Sequence, residues 1–317
     1  MNNVALIYGG FSGEAEVSRK SAQEIFKVLK TDNQEPYFVK ITSEKWVVEL
    51  NNLEIEINKN DFSFISNNNK VNFHSVFNII HGTPGEDGKL SGYFDLIGLP
   101  YNSSGVLESA LTFNKNWCNK FLSTFGILVP QSVIFYKEEN HEALKKKIKF
   151  PCFVKPNNGG SSIGVRKANN IKELNYALEM AFIHDTEVIV EEFIEGREFS
   201  CGILKNKEGI KVMPLTEIIV NAEFFDYEQK YGANGATEVT PAKITDAESS
   251  KCQGIVKKVF NILRLKKVAR IDFILKNGDF YLIEVNTIPG MSPKSILPQQ
   301  AEHVGISFKS LVNDYLL

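Results

Sequence analysis

Long hydrophobic runs are missing from this chain: no apolar stretch approaches the roughly 18–20 residues that a membrane-spanning helix requires. Excess charge of either sign is missing too. With 36 basic and 38 acidic residues the net charge is -2, which excludes a broad electrostatic pull toward a nucleic-acid backbone or an anionic bilayer. A small-molecule partner is expected instead. Cysteine is scarce: the four present (Cys118, Cys152, Cys201, Cys252) form no C-x-x-C pair and join no histidine cluster, so neither a disulfide framework nor a zinc site is encoded. The first residues, MNNVALIYGG, lack a basic segment, a long apolar core and a cleavage site, so a cytoplasmic protein is expected. GGFSGE lacks the G-x-G-x-x-G spacing of a dinucleotide site, and NNGGSSIG is not the G-x-x-x-x-G-K-[ST] phosphate loop. There is no internal repeat, and the only low-complexity run is NNN at 67–69.

What is present is enough chain, 317 residues, for two or three subdomains around a shared cleft. VALIYGG followed by SRKSAQEIFKVLK reads as strand, loop and helix, with Ala22, Ile25, Phe26 and Leu29 on one helical face. VNFHSVFNIIHG is a second buried-strand candidate, and GLPYNSS ends in turn residues, so residues 1–103 read as an open α/β sheet. A helix is expected from about Ser104 to Gly126, then VPQSVIFY, a lysine-rich helix near His141 to Lys149, and a helix around Ile171 to Phe182. Residues 104–187 therefore form a small central α+β domain around a glycine-rich turn. Residues 188–317 form a C-terminal α+β domain with a polar stretch from about Ala222 to Pro241, a helix near Asp246 to Leu263 and a final hairpin.

The sharpest chemistry lies in RIDFILKNGDFYLIEVN. Arg270 and Asp272 are spaced i, i+2 on one strand and Glu284 and Asn286 on the next, so each pair points to one face. Parity decides whether the faces coincide. A two-residue turn on Asn277-Gly278 sends Glu284 to the face opposite Asp272, whereas a three-residue loop with Gly278 left-handed and a bulge unites all four. The odd loop is expected. Two carboxylates and an amide are hard oxygen ligands suited to magnesium against nucleotide phosphates, with Arg270 beside them to balance transferred charge. A solvated face with alternating charges explains the spacing but not why these residues interrupt such apolar strands. NNGGSSIG offers backbone N–H groups and hydroxyls to an anion. Lys155 ends an apolar strand, so its stem runs through the interior, and Lys115 is a second candidate phosphate lysine.

Six motifs occur in one order: GGFSGEAEVS, HGTPGEDG at 81–88, VKPNNGGSSIG at 154–164, EEFIEGREF at 191–199, FDYEQKY at 225–231, and ARIDF with EVNTIPGMSPKS. Through them the whole chain resembles the D-alanine:D-alanine ligases of the ATP-grasp superfamily. The resemblance implies an ATP site between the central and C-terminal domains, with Lys115 and Lys155 on the phosphates, Glu191 and the backbone near Phe193 and Ile194 at the adenine, and Glu198 at the ribose. Asp272, Glu284 and Asn286 would hold two magnesium or manganese ions. Glu14 would bind the ammonium of the first D-alanine and connect through Ser161 to Tyr231 on a closing loop. His81 would lie near that substrate, while Lys230, Ser295 and the backbone at Ile296 would hold the carboxylate of the second D-alanine. Arg270 and the Gly290 N–H would stabilise the tetrahedral oxyanion. A homodimer is implied as well. The sequence departs from the commonest family pattern in carrying Lys294 where a histidine is frequent and in reading NNGG before its serines. The alternatives are a D-alanine:D-lactate or D-alanine:D-serine ligase, and a non-catalytic ATP-binding module. That module would not need Glu14, Ser161, Tyr231 and a metal triad together.

Overall fold

A computed structural model describes residues 2–30, 33–160, 163–219 and 236–316. The chain begins with β1 (Asn2–Gly9), α1 (Ala15–Leu29), β2 (Gln34–Ile41), β3 (Trp46–Leu50), β4 (Leu53–Glu56), β5 (Phe64–Ser66), β6 (Asn69–Val71), β7 (Ser75–Asn78) and α2 (Lys89–Ile97). After its two asparagines β1 is mostly apolar and is buried from Val4 to Gly9, as a strand covered on both faces must be. It pairs in parallel with β2 and β7, and the sheet order is β4-β3-β2-β1-β7. α1 buries Ala22, Ile25 and Leu29 as its spacing predicts, while Phe26 stacks on Phe38 with ring centroids 4.3 Å apart.

The single helix expected over about 104–126 is two: α3 (Val106–Phe113) and α4 (Lys115–Ser123). Asn114 separates them in an extended conformation, and its side chain accepts the Trp117 N–H at 3.0 Å. Asparagine competes for backbone donors in this way and so starts helices more readily than it continues them. After β8 (Ser132–Tyr136), α5 covers only Glu142–Lys145. The expected continuation to Lys149 runs into Phe150-Pro151, where the residue before proline is driven out of the helical region. β9 (Cys152–Pro156), β10 (Arg166–Ala168), α6 (Ile171–Ala181) and β11 (Glu187–Glu192) complete an antiparallel sheet of order β10-β9-β11-β8. Because β11 pairs with both β8 and β9, the boundary expected at 187/188 falls inside this sheet.

The third sheet contains β12 (Arg197–Asn206), β13 (Gly209–Ile219), β14 (Thr237–Val239), β15 (Val268–Lys276) and β16 (Asp279–Asn286), ordered β14-β13-β12-β15-β16. β14 lies within the expected polar loop of 222–241, most of which is outside the described residues. Helix α7 (Asp246–Ile262) starts on a reciprocal capping box between Thr245 and Glu248. It packs its buried face of Cys252, Val256, Val259 and Phe260 on the back of the third sheet, in one core with Cys118, Leu122 and Ile127. Residues 118–127 thus belong to the C-terminal core, not to the central sheet. The chain closes with α8 (Ile296–His303), α9 (Phe308–Ser310) and a wide helical turn, Leu311–Leu316. These share a core with Val4, Leu6, Ala22 and Ile25, so the first and last segments are sealed together. No helix among the described residues is long and apolar enough to cross a membrane.

Candidate active site

The β15–β16 hairpin turns on two residues, Asn277 and Gly278, both at positive φ (52° and 82°), with Lys276 opposite Asp279. This corrects the three-residue loop expected above: asparagine followed by glycine is the pair that the tight two-residue turn favours. The four polar residues still share one face, because the register shifts between Asp272 and Phe273. Phe273 pairs with Leu282 but Asp272 with Glu284, leaving Ile283 as the extra residue of a bulge. Arg270 then faces Asn286, and the four polar residues form a square. Arg270 donates to Asp272 at 3.1 Å and 2.8 Å, Asn286 Nδ2 to Asp272 Oδ2 at 3.1 Å, and Ser200 Oγ to Asp272 Oδ1 at 2.6 Å.

A cleft between the second and third sheets, with about 940 Å³ of empty space including its mouth, lies over this face. Lys155 Nζ is 2.7 Å from Glu191 Oε2, with both side chains buried, and Glu191 Oε1 has no hydrogen-bond partner among the described residues. Lys115, the first residue of α4, reaches the Gly159 carbonyl and stands 3.8 Å from Glu284. Burial pulls the Lys115 pKa down, opposed by Glu284 and assisted by Lys155. Glu198 and Ile194 line the same cleft, as does Ile283, so the bulge supplies an apolar wall and a carboxylate in succession. Phe193 is not on that wall. Its N–H donates to Pro151 at 3.3 Å, and its ring meets Phe153 at 5.6 Å with Lys167 4.1 Å above it.

Two further hollows join the cleft at Gly159 and Gly160. One contains Glu14, whose carboxylate oxygens would lie 3.1 Å and 3.3 Å from a Cβ added at Gly160. The other contains Glu86, Lys115, Glu284 and Asn286. Glu86 drew no role from the sequence, although it lies in the HGTPGEDG segment. Its carboxyl accepts the Gly82 N–H at 2.6 Å, and its pKa is pushed up to about 8, first by burial and next by Glu14. Only a structure exposes such a pair, since 72 residues separate Glu14 from Glu86. His81 is buried, its Nε2 has no hydrogen-bond partner among the described residues, and burial with the nearby Arg270 lowers its pKa to about 4. Its hydrogen bond to the Ile288 backbone ties the N-terminal rim to the segment after β16.

Ser295 precedes α8, and its Oγ approaches the Ser292 N–H at 3.2 Å. A Cβ on Gly290 would sit 3.0 Å from that Oγ, so a larger residue there collides with Ser295. The first N–H groups of a helix have no intrahelical acceptor, which makes Ile296 and its neighbours suitable for a carboxylate. Ser161, Lys230 and Tyr231 lie outside the described residues. Among the described residues there is no cluster of three His, Cys, Asp or Glu able to hold a metal. The oxygen set of Asp272, Glu284 and Asn286 nevertheless suits magnesium, which usually takes one or two protein carboxylates and completes its shell with water and phosphate.

Two sheets closing on a shared cleft, with lysines on one side and an acidic face on the other, define an ATP-grasp fold. The family models described as the D-ala D-ala ligase N-terminus and C-terminus match residues 3–104 and 121–317. A D-alanine--D-alanine ligase of Flavobacterium johnsoniae is 42% identical over 314 residues, covering 98% of this chain and 97% of the relative. Another, of Azobacteroides pseudotrichonymphae, is 40% identical over 321 residues, covering 100% and 99%. Among solved structures, the VanG D-Ala:D-Ser ligase of Enterococcus faecalis superposes with a TM-score of 0.88 at 32% identity, covering 99% of this chain and 98% of that one. A D-alanine--D-alanine ligase of Bacillus anthracis complexed with ATP gives 0.77 at 28% identity, covering 99% and 95%. The chain belongs to the D-alanine--D-alanine ligase family.

Proposed function

We propose that this protein joins two molecules of D-alanine into D-alanyl-D-alanine in the cytoplasm, at the expense of ATP, for peptidoglycan precursor synthesis. The observation that carries the reading is the bulge at Ile283, which aligns Asp272, Glu284 and Asn286 beside Arg270, next to Lys115 on the cleft wall. A carboxylate is a poor electrophile, so the first D-alanine is converted to an acyl phosphate before an amine attacks it. Lys115, Lys155 and Arg270 face the charge that moves with the phosphoryl group, which is the main protein contribution to such transfers. Magnesium or manganese, two ions held by Asp272, Glu284 and Asn286, supplies Lewis-acid neutralisation of the phosphates when bound. As a ligand Asn286 turns its amide, because Nδ2 now faces both carboxylates.

Glu191 and Glu198 serve the adenine and ribose, with Ile194 and Ile283 as apolar walls. Glu14, with Glu86 and His81 beside it, receives the ammonium of the first D-alanine. Ser295, Lys230 and the Ile296 amide hold the carboxylate of the second, and Arg270 with Gly290 N–H faces the tetrahedral oxyanion. Glu14 connects through Ser161 to Tyr231, and the segment of 222–241 serves to exclude water, which would otherwise consume the acyl phosphate. The proposed division of the chain is 1–103, 104–187 and 188–317. The chain acts as a homodimer, which sedimentation tests.

The decisive assay is phosphate release from ATP and magnesium with D-alanine, L-alanine, or D-alanine plus D-serine or D-lactate, with products identified by mass. D-alanine alone is expected to give dipeptide and phosphate one for one. Product only in a mixture reassigns the second substrate, and no turnover with any of them leaves a nucleotide-binding module.

A further inference from the structure

Gln300 is fully buried on α8, five residues after Ser295, or roughly 7 Å along a helix that rises ~1.5 Å per residue. Its side chain spends every bond on the third sheet. Oε1 accepts the Gly202 N–H at 3.0 Å, and Nε2 donates to Ser200 O at 2.9 Å and Thr216 Oγ1 at 3.0 Å. The pairing of β12 with β13 slips between Cys201 and Ile203, near Pro214, which has no N–H to offer a ladder. Gln300 occupies this irregularity. The two β12 residues it holds are those opposite the acidic face on the other side: Ser200 pairs with Asp272 and Gly202 with Arg270. Ser200 also donates its hydroxyl to Asp272 at 2.6 Å. The neighbouring Gln299 donates to Lys294 O at 2.6 Å and to Glu238 of β14 at 3.1 Å, which fixes the start of α8 from the outer side.

We infer that Gln300 is a positioning residue that sets the distance between the acceptor site at the start of α8 and the Asp272–Arg270 row. The inference rests on the proposed ligase reading, in which Ser295 and the Ile296 amide hold the second D-alanine. A buried amide satisfied on both ends tolerates neither sliding nor rotation of the helix, because either movement leaves Gly202 N–H or Ser200 O unpaired in the interior. Nothing in the pattern of α8 as an amphipathic helix demands this residue, since Leu297 and Ala301 already supply its apolar contacts. The amide therefore serves the register between two working surfaces. If the acceptor amine is misplaced while the acyl phosphate still forms, water competes with it.

The experiment compares Gln300→Met, which keeps length and volume but not the hydrogen bonds, with Thr216→Val, which removes one bond and folds even if the first variant does not. Both are assayed well below their melting temperatures. Gln300→Met is expected to raise KM for the second D-alanine by about tenfold or more, since sub-ångström to 1 Å displacements carry losses up to ~10²-fold. KM for ATP stays unchanged, and phosphate exceeds dipeptide. Thr216→Val shifts the same quantities in the same direction by less. Equal KM values and one-to-one stoichiometry in both variants, with only a lower melting temperature, overturn the inference and leave Gln300 as packing. Absence of dipeptide from the unaltered protein overturns the ligase reading instead.

Discussion

Two carboxylate pairs meet at this cleft and are stabilised in opposite ways. Asp272 and Glu284 face one another across β15 and β16, surrounded by Arg270, Asn286, Ser200 and Lys115. Glu14 and Glu86 converge beside Gly82 on the N-terminal rim, where Glu86 accepts the Gly82 N–H and its pKa is pushed up to about 8. Donors arranged around the first pair hold its oxygens in place for a cation. At Glu86, burial and then the neighbouring Glu14 favour the protonated carboxyl, and an arriving ammonium can replace that proton. The same residue type is thus prepared for two kinds of positive partner by its surroundings.

The largest break in this comparison is Asp272→Asn. Dipeptide turnover is expected to fall by about 10²–10³, the scale of removing one preorganised electrostatic group. A phosphate-release assay checks it, and normal turnover would reduce the acidic face to scaffold. Next in size is Ile283→Ala, which trims the apolar wall but not the carboxylate: KM for ATP should rise about tenfold, or ~1.4 kcal/mol, with kcat little altered in a nucleotide titration.

The other pair is probed through pH in the metal-free protein. For Glu86 the folded pKa of about 8 exceeds the ordinary 4.5, so the folded state holds an extra proton and stability falls as pH rises through that window. His81 acts in reverse: with a folded pKa near 4 against 6.5, it lends stability that is lost as pH falls from 6.5 toward 4. Above pH 6.5 the His81 contribution is already complete, and Glu86 still supplies a falling slope. Glu86→Gln should therefore flatten the decline in melting temperature between pH 6.5 and 8, and an unchanged slope would show that Glu86 does not carry it. The smallest effect belongs to Lys251, which donates to Gly278 O and Asp279 behind the acidic hairpin. This pair is half exposed, so Lys251→Ala should cost less than about 1 kcal/mol in denaturant unfolding. A larger loss would mean that the turn, not the bulge, holds the acidic face together.

The alternation in RIDFILK and DFYLIEVN made both polar pairs legible, and the family motifs brought the lysines and Glu14 to one site. The four polar residues share the expected face, but through a bulge in β16 and not through an odd loop. Asn277-Gly278 dictated the two-residue turn locally, whereas the compensating bulge at Ile283 depends on how β16 meets the cleft, which no short window records. The helix break at Asn114 was a local signal passed over, since a capping residue sat in the middle of an otherwise continuous apolar pattern. Glu86 and Gln300 were not legible at all, because their partners are 72 residues upstream and about 100 residues upstream, and only the folded sheets bring them together.

The contact between Gly202 and α8 also constrains the order in which this chain can change. A methyl group at Gly202 would meet Leu297 Cδ1 at 2.3 Å and Gln300 Oε1 at 2.7 Å, so even alanine is excluded while both side chains remain. A shorter residue at 300 leaves the Leu297 contact in place and forfeits the acceptor of the Gly202 N–H, which no side chain at 202 restores. The glycine is therefore expected to persist wherever Leu297 and Gln300 both remain.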